Sequence, residues 1–248
     1  MSSAPAERAE RPASEVRLNI AEDWLVARPE GAIWWPDAET LIVSDLHLEK
    51  GSSFAAASGQ LLPPYDTRVT LSIVEALCQE LNPQRVLSLG DSFHDRSAEL
   101  RLAEDDKVRI RALTGRYDWF WIEGNHDPDP PETLGGTPLK VWRHRSLVFR
   151  HEPERERGEI AGHMHPVAKI SGRGRSVRRR CFITNGDHMI LPALGTYTGG
   201  LNVRDPAMLD LFPCGGSIFA IGSDRVVPVA QRSLLPDISR AAQSGWRL

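Results

Sequence analysis

The strongest constraint on the fold is a short, mostly apolar run that recurs three times, each time followed by polar side chains. The runs cover residues 40–44, 85–89 and 117–122. Runs of this length are typical of strands that are buried on both faces of a sheet. Acidic, amide or histidine residues follow each run, as in Asp45-Leu46-His47. Open α/β sheets bind ligands at the carboxyl ends of their strands, so the pattern predicts a site there.

Between these runs, apolar residues recur at the spacing that is typical of a helix. A helix is predicted over residues 64–81, and a second, more charged helix over residues 98–113 with Gly115 as its C-cap. Residues 48–60 are rich in Ser, Gly and Ala and predict a loop. The first half of the chain therefore reads strand, helix, strand, helix, strand.

The second half of the chain changes in character after the Pro-rich loop at residues 128–138. Short strand-like segments dominate from residue 139 onwards. The change from βα units to hairpins predicts an α/β (α+β) architecture in which two sheets share one core, with a single domain over residues 15–248. Residues 1–14 are rich in Ala, Glu, Arg, Pro and Ser and predict a disordered tail.

The bulk composition restricts the class of protein. The net charge of −3 shows that the protein as a whole is not basic, so its composition does not indicate nucleic-acid binding. A local basic patch could still bind nucleic acid. No apolar run reaches the length of a membrane span, and the N-terminus lacks the apolar core of a signal peptide. Cys78, Cys181 and Cys214 are widely spaced, which favours reduced thiols and a cytoplasmic protein.

Five short motifs hold six of the eight histidines. They are Asp45-Leu46-His47, Gly90-Asp91-Ser92-Phe93-His94-Asp95, Gly124-Asn125-His126-Asp127, Arg150-His151-Glu152 and Gly162-His163-Met164-His165. Histidine is the commonest protein metal ligand, and alternate residues of an extended segment, such as Asp45 and His47, point the same way. Mixed imidazole and carboxylate ligands suit Mn, Fe, Co, Ni or Zn better than Mg or Ca.

Two such ions about 3.5–4 Å apart clamp a phosphate and acidify a water held between them. We interpret Asp91 as the carboxylate that both ions share. Two aspartates, one asparagine and four neutral histidines leave two divalent ions with net positive charge, which favours a phosphoester anion. His126 could contact phosphate oxygens and protonate the leaving alkoxide. Taken singly, each histidine is more often a core or turn residue, but all five motifs in this order favour a metal centre.

The motif set resembles that of the calcineurin-like metallophosphoesterase superfamily, and the resemblance spans Asp45 to His165. It implies a four-layer αββα sandwich of two mixed sheets flanked by helices. The implied ligands of one metal are Asp45, His47, Asp91 and His165, and those of the other are Asp91, Asn125, His151 and His163. His126 is implied to be the general acid, with Asp127 as its orienting partner.

His94 departs from many superfamily phosphatases, which have a second aspartate at this position. The stretch around His94 is similar instead to DNA-repair nucleases of the SbcD type, in which this histidine helps to bind the phosphodiester. The resemblance makes His94 a second catalytic candidate. The alternative is a histidine that only orients a ligand.

A narrower resemblance links residues 44–51, 90–95 and 197–201 to the bacterial ligase-associated metallophosphoesterases of the PdeM type. That group is associated with a DNA ligase and a helicase and is described as DNA-damage-response endonucleases. The resemblance implies DNA as the substrate and a DNA ligase and a helicase as repair partners. We expect two divalent ions, with Mn first and Zn, Fe, Mg or Co as alternatives.

Lys50 and the basic run at residues 169–180 are candidates for substrate contact. Arg173 and Arg175 lie at the predicted turn of a hairpin, and we expect this turn to lie near the metals. Arginines in that place could contact the phosphates of a nucleic-acid backbone. The alternatives are a surface lysine and a solvated loop. Two other functions stay open: a small-molecule phosphoesterase (acting on a phosphomonoester, cyclic nucleotide or nucleotide pyrophosphate) and a non-catalytic scaffold on the same fold. The PdeM-type resemblance implies endonuclease activity, although the residues by themselves do not distinguish an endonuclease from an exonuclease.

Overall fold

The computed structural model describes residues 16–58, 65–129, 132–172 and 174–237. The predicted tail at residues 1–14 and the candidate Arg173 lie outside these ranges. Within them, no helix combines the length and the apolar composition that crossing a membrane requires.

The first sheet contains the three apolar runs as neighbouring strands. Its seven strands are β1 (Val16–Ile20), β2 (Asp23–Ala27), β3 (Ile33–Trp35), β4 (Thr40–Val43), β5 (Arg85–Leu89), β6 (Asp118–Ile122) and β7 (Thr137–Leu139). Strands β1 to β4 pair antiparallel, and β4 to β7 pair parallel. The carboxyl ends of β4, β5 and β6 therefore lie side by side at one end of the sheet, which brings their three polar motifs together.

The second sheet is formed by the later, hairpin-rich part of the chain. Its ten strands are β8 (Trp142–His144), β9 (Leu147–Arg150), β10 (Glu159–Ala161), β11 (Pro166–Gly172), β12 (Arg175–Thr184), β13 (Met189–Ile190), β14 (Leu201–Asn202), β15 (Ser217–Ile221), β16 (Val226–Val229) and β17 (Leu234–Leu235). Strands β9, β10 and β13 pair parallel, whereas β11 and β12 form a long antiparallel hairpin. His151 follows β9, and His163 and His165 lie between β10 and β11.

Alternating side chains build the core on the two faces of the first sheet. Ile42 and Leu87 point into the layer between the sheets, where they join Phe149 and Phe182 of the second sheet. Their neighbours along the strands, such as Leu41, point to the opposite face. This period-2 pattern is what a pleated strand buried on both faces requires.

Helices cover the outer faces of both sheets, which confirms the expected four-layer αββα arrangement. The helices are α1 (Lys50–Ser58), α2 (Asp66–Leu81), α3 (Ala98–Arg101), α4 (Glu104–Arg116) and α5 (Pro206–Leu211). Helices α2 and α4 pack on the first sheet through residues such as Val74 and Ile110. On the second sheet, Met208 of the short helix α5 packs beside Ile183 of β12.

Two local predictions are wrong. Residues 50–58, predicted as part of a loop, form α1, whose start is fixed by tertiary hydrogen bonds: Gly51 N donates to Asp66 Oδ2 and Thr67 Oγ1 donates to Glu49 Oε1. The predicted single helix over residues 98–113 is two helices, α3 and α4. Gly115 lies inside α4, which continues to Arg116, and so Gly115 is not its C-cap.

Candidate metal centre

Asp91 lies at the middle of the clustered histidines. Its Oδ2 atom is 3.5 Å from His151 Nε2, 3.8 Å from His47 Nε2 and 4.0 Å from His126 Nε2. Its Oδ1 atom accepts a hydrogen bond from His126 N. Burial raises the pKa of Asp91, but the hydrogen bond and charge of His151 outweigh burial and hold the pKa below its ordinary value. One carboxylate oxygen thus faces histidines from both halves of the chain.

Asp45, His47 and His165 form one group of potential metal ligands beside Asp91. His165 Nε2 is 3.0 Å from Asp45 Oδ1 and 3.4 Å from His47 Nε2. Asp45 Oδ2 accepts a hydrogen bond from Ser44 Oγ, His163 N donates to both carboxylate oxygens, and Oδ1 is the oxygen that faces His165. The donor atoms of this group lie within 4.8 Å of one another, a spacing that one cation could bridge.

Asn125, His151 and His163 form a second group, which adjoins the first because His151 Nδ1 lies 3.8 Å from Asp45 Oδ1. Asn125 Oδ1 is 2.9 Å from His151 Nε2 and 3.0 Å from His163 Nδ1, and these two ring nitrogens are 3.2 Å apart. His151 Nδ1 bonds the Leu89 carbonyl oxygen. A carbonyl can only accept, so Nδ1 carries a proton and directs Nε2 towards Asp91.

The two groups fit divalent metal ions. Ring nitrogens face each other across 3.2–3.4 Å beside carboxylate oxygens, and a cation between them would serve all these lone pairs at once. Burial lowers the pKa of His47 to about 3, which keeps its lone pair available for a metal. Burial opposes protonation of His151 too, but Asp91 and Asp45 raise its pKa to about 9. The same pair of carboxylates would stabilise a cation in this place.

The backbone of the cluster is strained. Five of its residues have positive φ angles: Asp45 (52°), His47 (42°), Asp91 (47°), His163 (65°) and His165 (42°). Such conformations cost about 1–3 kcal/mol each and occur where the surroundings over-determine them, often at functional sites. The expectation that Asp45 and His47 converge because they alternate along an extended segment is therefore wrong. They converge because the chain turns at each of them.

Three glycines let the motif loops approach one another. A Cβ on Gly90 would clash with the His151 ring, and a Cβ on Gly124 would clash with Asp91. A Cβ on Gly162 would lie 2.6 Å from Asp45 Oδ2 and closer still to Ser44 Oγ. Close packing therefore requires a glycine at the first position of each of these three motifs.

His94 and His126 stack beside the two groups. Their ring centroids are 5.2 Å apart with 25° between the planes, and His126 Nδ1 bonds the His94 carbonyl oxygen at 2.7 Å. His47, His94 and His126 also present donor atoms within 4.8 Å of one another. Burial lowers the pKa of His94 to about 4, and the charge of Lys50 acts in the same direction, so the ring is neutral near pH 7.

Asp127 does not orient the His126 ring as expected. The Asp127 carboxylate is buried and accepts a hydrogen bond from Phe93 N at 3.0 Å, whereas His126 Nδ1 is held by the His94 carbonyl. Burial raises the pKa of Asp127 to about 7, and the nearby charge of Asp91 adds to the effect. Asp127 therefore ties the Gly124–Asp127 loop to the loop that follows β5.

The predicted substrate-contact residues occupy different places. Lys50, the first residue of α1, is close enough to Asp91 and Asp45 that both raise its pKa, although burial leaves the pKa below its ordinary value. Arg175 is exposed at the far end of the β11–β12 hairpin, seven strand residues from His165. The expected hairpin exists, but its tip is separated from the metal centre by the length of β11, about 20 Å.

Sequence reasoning missed Arg101, which holds the loop that carries His94. Its guanidinium donates to both carboxylate oxygens of Asp95, and its Nε donates to Ser52 Oγ of α1. Ser52 in turn donates to Glu49 Oε2. No local pattern marks Arg101, because its role depends on the contact between α1 and the loop after β5.

The two mixed sheets gather His, Asp and Asn side chains at their strand ends, in an arrangement suited to binding divalent metal ions. The sequence matches the family model of calcineurin-like phosphoesterases over residues 39–188, more than half of the chain. The chain therefore belongs to the calcineurin-like phosphoesterase family, whose members use divalent metal ions. The search of curated proteins returned no significant match.

The chain is similar to a solved nuclease. Nuclease MPE from Pseudomonas putida shares 28% identity and a TM-score of 0.67, over 87% of this chain and 100% of that chain. YfcE, a phosphoesterase from E. coli, shares 15% identity and a TM-score of 0.39, over 77% of this chain and 98% of that chain. The similarity to nuclease MPE extends over more of the chain than the family model covers.

Proposed function

We propose that the chain is a dinuclear-metal phosphodiesterase that cleaves DNA. The observation that carries the proposal is Asp91 Oδ2, which faces His47 of one donor group and His151 of the other. Asp45, His47, His165 and Asp91 would hold one ion. Asp91, Asn125, His151 and His163 would hold the second.

When bound, the two ions would polarise the phosphoryl oxygens and supply an acidified water as the nucleophile. The chain's own residues would orient the ester and handle the proton. Because the His94 carbonyl accepts from His126 Nδ1, the Nε2 atom of His126 is left to face the substrate. His126 would act as an imidazolium with a proton on both ring nitrogens; the Nε2 proton would pass to the leaving oxygen and leave a neutral ring protonated at Nδ1, while His94 and Lys50 contact the phosphate.

The similarity to the nuclease from Pseudomonas putida, over the full length of that chain, supports a nucleic acid as the substrate. We prefer DNA because the sequence resembles the ligase-associated metallophosphoesterases of the PdeM type. His94 supports the same choice through the resemblance to repair nucleases. We further propose manganese as the metal, a cytoplasmic role in DNA repair beside a DNA ligase and a helicase, and one domain over residues 15–248.

Purified protein supplied separately with Mn, Mg and Zn tests the proposal on four substrates. These are single-stranded DNA, plasmid DNA, bis(p-nitrophenyl) phosphate and p-nitrophenyl phosphate. We expect metal-dependent cleavage of DNA and of the diester, with Mn the most effective ion. His126→Ala should abolish turnover while metal binding, measured by calorimetry, persists. His144→Gln, a histidine that stacks on Trp142 outside the cluster, is the matched control.

Each other outcome has a defined meaning. Turnover of p-nitrophenyl phosphate without cleavage of DNA would identify a small-molecule phosphoesterase. No turnover of any ester with metal bound would identify a scaffold. Full activity in His126→Ala would refute the assignment of the proton donor.

A further inference from the structure

The outer part of strand β12 has a neighbouring strand on one side only. Residues 175–180 pair with β11, whereas β13 and β15 pair with β12 within residues 181–184. Within the described parts of the chain, no other strand lies beside residues 175–180. In an antiparallel ladder, every second residue directs its backbone N–H and C=O away from the partner strand. Residues 175–180 therefore form an open edge, to which a further strand could add.

The open edge lacks the proline that blocks another edge of the same sheet. Strand β16 contains Pro228, which has no N–H to offer an incoming strand. Residues 175–180 contain no proline, and all of them except the half-buried Arg180 are exposed. The side chains of the open edge therefore decide which kind of strand could pair with it.

These side chains form an alternating pattern of charge and apolar surface. Arg175, Val177 and Arg179 share one face of β12, and the two arginines are about 13 Å apart along the strand. Val177 is 46% exposed. Arg178 and Arg180 project from the opposite face, where Arg178 pairs with Asp237. In the described part of the chain, no carboxylate pairs with Arg175 or Arg179, so their charges are free to attract a partner.

The charge of the open edge favours one kind of occupant. Antiparallel pairing with the open edge of a second copy would set arginines against arginines, which is destabilising. A nucleic acid would find few cations, because Arg178 and Arg180 are engaged within the protein, and it has no strand backbone to pair with the edge. An extended acidic polypeptide would satisfy both the backbone groups and the arginines.

We propose that the open edge of β12 is a docking site for an extended acidic segment of a partner protein, which adds to the second sheet as a strand. In this mode of recognition, main-chain hydrogen bonds give affinity and alternate side chains give specificity. The preferred segment would carry an acidic residue, an apolar residue and a second acidic residue at alternate positions. They would face Arg175, Val177 and Arg179. The inference goes beyond the proposed nuclease function and does not depend on it.

A fluorescein-labelled heptapeptide, Thr-Glu-Thr-Val-Thr-Glu-Thr, tests the docking site by fluorescence anisotropy. We expect saturable binding to the full chain, weakened about 2- to 30-fold in the double variant Arg175→Gln/Arg179→Gln, because two cross-strand charge pairs are lost. Arg17→Gln, at an exposed arginine in β1 of the other sheet, is the matched control and should bind normally. Replacement of both peptide glutamates by glutamine should weaken binding to the wild type but not weaken binding to the double variant further.

Backbone N-methylation of the peptide distinguishes strand addition from simple charge attraction. Only one set of alternate N–H groups would face β12, so methylation of that set should abolish binding, while methylation of the other set should preserve it. Equal binding of the two methylated peptides would overturn the inference, as would no binding of the unmodified peptide at millimolar concentration.

Two further results would assign the open edge to a different occupant and would also overturn the inference. One is binding of oligothymidylate, weakened in the double variant, without binding of the peptide. The other is a dimer in sedimentation analysis that the double variant strengthens, because this would identify a second copy as the occupant.

Discussion

The metal centre and the β11–β12 hairpin are both rich in polar side chains, yet they use them in opposite ways. In the metal centre, lone pairs of several residues face one another: Asp91 Oδ2 lies within 4.0 Å of three ring nitrogens. In the hairpin, Lys169 and Arg178 reach towards residues 236–237, whereas Arg180 turns to the loop before β14. Shared orientation, more than the number of charges, distinguishes a site from a charged surface.

Two arginines of the hairpin, Arg178 and Arg180, are engaged within the protein. Arg178 pairs with Asp237 and donates to the Gly200 carbonyl. Arg180 donates to the carbonyls of Ala193, Leu194 and Glu30, and burial lowers its pKa. These residues join β12 to neighbouring loops, which leaves fewer cations for nucleic acid than the basic run suggested.

The glycines of the two regions differ in the same way. Gly162 of the metal centre has no room for a Cβ, whereas a Cβ on Gly172 or Gly174 would have no heavy atom within 4 Å. Close packing therefore surrounds the metal centre and is absent at the tip of the hairpin.

The largest difference between the two regions should come from removing the charge of Asp91. Asp91→Asn keeps the side-chain shape but would deprive both proposed metal sites of a negative ligand. We expect kcat/KM to fall by about a thousandfold or more, with metal stoichiometry reduced in calorimetry. Arg175→Gln at the hairpin tip should stay within about twofold on a small diester. Comparable losses in the two variants would erase the distinction between the regions.

A matched pair of glycine substitutions should give the next largest effect. Neither Gly162 nor Gly172 has a positive φ angle, so Gly→Ala tests space alone. Gly162→Ala should cost about 1–3 kcal/mol of unfolding free energy through overpacking, and should weaken metal binding by displacing Asp45 or Ser44. Gly172→Ala should change neither quantity, as measured by denaturant unfolding and metal titration. Normal metal affinity in Gly162→Ala would show that the loop can relax.

Removal of a hairpin arginine should affect stability more than catalysis. Arg180→Met leaves three carbonyls without their donor, so we expect the free energy of unfolding to fall by about 1–3 kcal/mol. Diester turnover at a temperature where the variant is folded should be unchanged. Arg175→Gln should alter stability by less than about 0.5 kcal/mol. A loss of turnover in Arg180→Met without loss of stability would place Arg180 in the substrate path.

The smallest expected effect concerns the reactivity of the cysteine thiols. Cys181 lies buried in β12 and Cys78 in α2, and Cys214 is exposed. Burial raises the pKa of Cys78 to about 12 and that of Cys181 still further, so neither should react with a thiol reagent at pH 8. We expect one thiol to be titrated in the native protein and three in denaturant. Rapid labelling of Cys181 in the native protein would show that the hairpin opens.

The sequence alone determined the strands and the residues that gather at their ends. β4, β5 and β6 coincide to within one residue with the three predicted apolar runs, because burial on a pleated sheet imposes a local pattern that is readable in five or six residues. The motifs at Asp45, Asp91, Asn125, His151 and His163 do lie together. Their position directly after strands was sufficient to predict that they converge, because parallel strands bring their carboxyl ends to one edge of a sheet.

Only the tertiary structure decided how those residues are held. Helix α1, the pairing of Arg101 with Asp95, the His94 carbonyl as the partner of His126, and the inward use of Arg178 and Arg180 all depend on contacts between distant segments. Local propensity carries no record of such partners. The left-handed turns at Asp45 and His47 belong to the same class, because a strained backbone conformation persists only where surrounding contacts enforce it.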